Sequence, residues 1–133
     1  MIRNIGIAAA LLSLILLGLH WLVQGPNLMA FAERLPGPDT APTVEYYAGQ
    51  GYFIASDFDI AGAYFKHVID QFPSSPYAER AHVYWLECLT RQLYHAPAQA
   101  VAECKAFLQQ YPKSSYAPRV RKLQEICESG TLH

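Results

Sequence analysis

Gln71-Phe72-Pro73-Ser74-Ser75-Pro76-Tyr77-Ala78-Glu79-Arg80 recurs 39 residues later as Gln110-Tyr111-Pro112-Lys113-Ser114-Ser115-Tyr116-Ala117-Pro118-Arg119. The two phrases share Gln, Pro, Ser, Tyr, Ala and Arg at the same offset. The match extends on both sides. Ala61, Ala63 and Lys66 align with Ala100, Ala102 and Lys105. Val44, Cys88 and Leu93 align with Val83, Cys127 and Leu132. A dozen identities at one offset mark a duplicated unit, and a repeat of that period points to stacked supersecondary units.

Each unit reads as two helices. Ala61, Phe65, Val68 and Phe72 fall at i, i+4, i+7 and i+11, which is one helical face. Ala100, Cys104, Phe107 and Tyr111 repeat the pattern. Pro73 and Pro112 stop these helices. Ser74 or Ser75, and Ser114 or Ser115, cap the helices that follow, with Pro76 and Pro118 suited to a first turn. Asp57 and Asp59 precede the helix containing Ala61 and suit its N-terminus. Helices are therefore expected over residues 43–56, 58–72, 76–94, 97–111 and 115–128.

Outward from the repeat, the chain divides into three. Residues 1–24 form a membrane-length segment, 25–42 a linker rich in Pro and Gly, and 43–133 the helical domain. Ile5 to Val23 is free of Asp, Glu, Lys and Arg. Nineteen residues at ~1.5 Å each reach about 28 Å, close to the thickness of a bilayer core. Arg3 and the terminal amine precede this run and only Arg34 follows closely. That places the N-terminus in the cytoplasm and the domain outside, in contact with lipid only through residues 5–23. Gly6, Ala10, Ser13, Leu17, His20 and Gln24 share a mostly small or polar stripe. Gly6, Ala10, Ser13 and His20 are the candidate docking face for another membrane helix, because small residues let helices approach closely in lipid. A second reading exists: Ala30-Phe31-Ala32 has the small-x-small form of a cleavage site, and cutting after Ala32 would release a soluble domain. A third gives His20 to a haem or pigment. The linker's Gly25-Pro26, Pro36-Gly37-Pro38 and Ala41-Pro42 favour an extended spacer.

The residues of the domain resemble the tetratricopeptide repeat. Gly49, Tyr52, Ala61, Phe65 and Pro73 occupy, in order, the small, aromatic, Ala, large apolar and Pro positions of that repeat. The phrases around Pro73 and Pro112 look like the variant found in bacterial periplasmic scaffolds of the outer-membrane-assembly type. The resemblance covers residues 44–128 and departs from the ~34-residue period by a longer connection after Pro73. It implies a short solenoid of two helix hairpins and a C-terminal capping helix, so that with the one transmembrane helix read from Ile5–Val23 the expected fold is all-α. It also implies a peptide-binding groove lined by the first helix of each unit. In this sequence those positions are Tyr46, Gln50, Phe53, His82, Trp85, Leu89, Gln92, Arg121 and Gln124. Tyr46 and Trp85 equally fit a core role, since repeat proteins bury aromatics between helices.

Composition limits the chemistry. Ten Lys+Arg face 11 Asp+Glu, and charged residues are 16% of the 133-residue chain, which excludes a polybasic nucleic-acid binder. His67, His82 and His95 are scattered, and no Gly-rich phosphate loop or HExxH is present, so neither an enzyme nor a small-molecule substrate is expected, nor a cofactor. Cys88, Cys104 and Cys127 lack metal-ligand spacing. Cys88 and Cys127 repeat the small position of Gly49. Cys88 and Cys104 lie equally far from the turn at Ala96 and allow a disulfide outside the cytoplasm. The expectation is a non-catalytic scaffold, an accessory subunit of a membrane protein complex.

Overall fold

The computed structural model describes residues 2–23, 26–92 and 97–130. Among them lie seven helices and no strand: α1 (Ile2–Val23), α2 (Pro26–Ala32), α3 (Thr40–Ile54), α4 (Phe58–Gln71), α5 (Ala78–Gln92), α6 (Pro97–Gln110) and α7 (Ala117–Ser129). The five domain helices stand where the periodicity predicts them. Leu93, Leu132 and the turn at Ala96 lie outside the described residues, as does Gln24.

The two repeated phrases build the same turn twice. Tyr77 N–H donates to Ser75 Oγ at 3.1 Å, and Tyr116 N–H to Ser114 Oγ at 3.0 Å. Ala78 N–H bonds to Ser75 O, and Ala117 N–H to Ser114 O. The preceding helices close alike, through Phe72 N–H to Val68 O and Tyr111 N–H to Phe107 O. Pro73 and Pro112 have no N–H to carry the helix on. The helix α4 starts on Asp57, whose Oδ1 accepts from Ile60 N–H at 3.3 Å. Between α3 and α4 the chain reverses at Ser56, which takes φ 62, the left-handed conformation of a helix C-terminus.

Packing follows chain order: α3 on α4, α4 on α5, and α6 on α7, with α5 touching both α6 and α7. The helix α5 is the hub. Ala81 and Cys88 join Tyr46, Ala61, Phe65 and Val68 in one core cluster. Val83 and Leu86 join Cys104, Phe107 and Val120 in a second. Gly49, Cys88 and Cys127, the three equivalent small positions, are all buried. Cys88 and Cys104 are free thiols in different clusters, so the disulfide that their spacing allows is not formed. Burial pushes both thiols up to about 12, as expected of inert packing residues.

The linker departs from the extended spacer. Pro26 opens a short helix, consistent with the fixed φ of Pro at a first helical position. Ala32 at its end is fully buried, and α2 rests on α3. The helix α3 also begins earlier than expected, at Thr40, with Pro42 buried in its first turn. In contrast, α1 has the short α2 as its main packing partner among the described residues. Its 18-residue stretch Ile5–Leu22 is long and apolar enough to cross a membrane and none of it is buried.

Candidate functional site

Side chains from α3, α4, α5 and α7 meet along one seam centred on Tyr84. The Tyr84 ring lies 5.2 Å from Phe53 and stacks on Phe65 at 5.4 Å. On its other side the Arg119 guanidinium sits 5.2 Å from the ring centre while pairing with Glu87. Arg80, the repeat partner of Arg119, donates from Nε to Tyr116 Oη at 3.1 Å and approaches the Tyr46 ring at 6.0 Å. Glu79 accepts from the Ser114 hydroxyl. Guanidinium-on-ring contacts of this kind order a surface without removing its charge from water.

The residues placed in the groove by resemblance separate into two groups. Tyr46, His82 and Leu89 are 3, 7 and 7% exposed and belong to the interior, because α3 is covered by α2 and α4, and α5 by α4, α6 and α7. Tyr46 packs against Phe65 and Tyr77, and His82 against Trp85, Phe107 and Tyr111. Burial holds the His82 imidazole down at about 4, with Lys66 adding to the effect, and its Nδ1 has no hydrogen-bond partner. The second group keeps surface. Gln50 and Phe53 are half-buried on α3. Trp85 is half-buried between the two clusters, with the Lys66 ammonium 4.8 Å from its ring. Gln92 is exposed and donates to Phe58 O and Asp59 Oδ1, both at 2.8 Å. Arg121 is exposed, and Gln124 donates to Glu128 at 2.9 Å.

Tyr84, Glu87 and Arg119 are the seam residues that the resemblance leaves out. Arg80 and Arg119 do stand among the repeat identities, and that was their signal. Tyr47 and Ile54, 59% and 81% exposed, add apolar surface to α3.

On α1, Gly6 has nothing within 4 Å of an added Cβ. Ser13 Oγ donates to Ala9 O at 2.9 Å, so its hydroxyl is satisfied within the helix. Ala10 is exposed, and His20 sits in the last turn. Asn27 Nδ2 donates to Trp21 O at 3.0 Å and satisfies one carbonyl at the end of α1.

One polar cluster lies apart from the seam. Glu33, just past α2, faces His67 of α4, which contacts the buried Glu45 of α3. Among the described residues this is the group of His, Cys, Asp and Glu side chains close enough to share a metal ion.

Compared with protein-family models, curated proteins and solved structures, the chain matches none.

Proposed function

We propose that this chain is a single-pass membrane scaffold without chemistry of its own: α1 anchors it and docks laterally, while the helical domain holds a partner protein subunit. In this reading the domain is a short tetratricopeptide-like array. It sits in the cytoplasmic membrane of a bacterium, N-terminus inside and domain in the periplasm.

One observation carries the proposal. A charge-free helix of membrane length is bare along Ile5–Leu22, attached to a domain that encloses its own two-cluster core. In water such a helix exposes Leu11, Leu12, Leu14, Ile15, Leu16 and Leu17, each more than half accessible. At about 25 cal/mol per Å² of apolar surface, that exposure is far too costly to leave uncovered. Lipid covers it, and the Gly6–Ala10–Ser13 stripe gives a partner helix a close approach. The Tyr84–Arg119 seam, with Phe53, Trp85, Gln92 and Arg121, offers the aromatic and Arg groups favoured at protein interfaces.

The test is a gentle-detergent pull-down through a C-terminal tag. The expected result is stoichiometric membrane subunits, lost when Ala10→Leu and Ser13→Leu fill the stripe. Recovery of soluble envelope partners alone, with bait starting at Glu33, would favour the cleaved adaptor. Replacing His20 by Ala in the same complex should leave its visible absorbance unchanged; lost absorbance would favour a haem- or pigment-bearing subunit.

A further inference from the structure

Glu45 is a carboxylate where none should be. It lies in the second turn of α3 and its side chain is 0% exposed. A buried carboxylate is costly unless its oxygens are matched by donors or a cation. One oxygen is matched: Oε2 lies 2.6 Å from His67 Nδ1. The other, Oε1, has no hydrogen-bond partner. Burial raises this carboxyl above the ordinary carboxylate range, with His67 opposing the shift and Glu33 adding to it.

The third member comes from a different part of the chain. Glu33 follows Ala32, the fully buried end of α2. Its Oε1 is 3.6 Å from His67 Nε2, with half of its side chain open to water. That distance is too long for a hydrogen bond. It is close to the separation of two donors around one small cation, about 3.3 Å for tetrahedral zinc at ~2.0–2.1 Å from each. One donor atom from each of Glu33, Glu45 and His67 lies within 4.8 Å of the others. Glu45 and Glu33 face different nitrogens of the His67 ring, Nδ1 and Nε2, so a single cation takes one nitrogen and the carboxylate on the other swings to join it.

We propose that Glu33, Glu45 and His67 bind a divalent transition-metal cation of the zinc class, which clips the segment after α2 onto α3 and α4. Two carboxylates and an imidazole suit zinc, or cobalt as its probe, rather than calcium or magnesium, which take more oxygens. The open side at Glu33 leaves room for water as a further ligand. The cation meets the orphaned Glu45 oxygen, and its binding energy couples to the order of the chain between the apolar helix and the domain. This goes beyond the scaffold reading and does not depend on it.

The experiment uses the full chain in detergent, stripped with a chelator and carrying a tag without histidine. Cobalt(II) is titrated by visible absorption and then displaced with zinc(II), with thermal unfolding followed in parallel. One equivalent per chain, d–d bands without a thiolate charge-transfer band, and a raised thermal midpoint are expected. Glu33→Gln, at a half-exposed position that leaves the core intact, should weaken binding about tenfold or more, as should His67→Asn. No saturable binding would overturn the proposal and leave the cluster a hydrogen-bonded histidine. Binding unchanged in Glu33→Gln, or a thiolate band from the cysteines, would overturn it equally.

Discussion

At Gly49 an added Cβ would lie 2.8 Å from Cε1 of Phe65, a fully buried ring stacked on Tyr84. Two residues on, Gly51 is exposed with open space around it. The same substitution should therefore have opposite signs. Gly51→Ala gains up to about 1 kcal/mol of helix propensity. Gly49→Ala gains the same but overpacks the core at a cost of about 1–3 kcal/mol. Thermal midpoints of the two variants should move apart, Gly51→Ala upward and Gly49→Ala downward; parallel shifts would mean that the α3–α4 contact is looser than described. His82 makes a second test. Its folded value, about 4, lies below the ordinary 6.5, so the unfolded chain binds more protons between them. Its contribution is complete above about pH 6.5 and is lost as pH falls toward 4, at about 1.4 kcal/mol per unit in that window. Melting from pH 7 to 5 should show a fall that His82→Leu flattens. The small character of position 49 was legible from the alignment of Gly49, Cys88 and Cys127. The burial of His82 was not, because a histidine reads as polar until its neighbours are known.

The helix ends are the most legible elements, and Ser75 and Ser114 explain why. A hydroxyl two residues before Tyr77 and Tyr116 meets the same backbone N–H in both units, and Pro73 and Pro112 end the helix before it. Losing such a bond costs about 1 kcal/mol. Ser75→Ala and Ser114→Ala should each lower stability by about that amount, with Ser114→Ala costing more because its hydroxyl also reaches Glu79. Circular dichroism melts of the two variants check the equivalence; a silent Ser75→Ala would break it. The short helix α2 was not legible. Seven residues with a leading Pro carry no periodicity, and the helix rests on tertiary support at Ala32 and α3 rather than on propensity. The linker reading failed on that tertiary contact. The groove positions failed in part for a related reason. Spacing gives the face a residue occupies on its own helix, but α3 is covered by α2 and α4, and α5 by α4, α6 and α7, so Tyr46, His82 and Leu89 fall inside.

At the scale of the molecule, two parts of unlike chemistry share one chain. The domain follows the rule of soluble proteins, with most rings and small residues enclosed and Lys and Arg outside, Glu45 being the buried exception. The helix α1 inverts it, with Leu and Ile outward along its length. That contrast was legible from the charge-free run of Ile5 to Val23 alone, because length and charge decide it without any contact. Whether a partner covers the stripe or the seam was not legible, because a docking surface is recognised only with its other half. The proposed scaffold role requires that α1 stay attached as an anchor. The direct measurement is the intact mass of the protein extracted by detergent from carbonate-washed membranes. A mass that includes residues 2–32, retained in the membrane fraction, is predicted. A species beginning at Glu33 and found in the soluble fraction would show instead that the anchor is cut away.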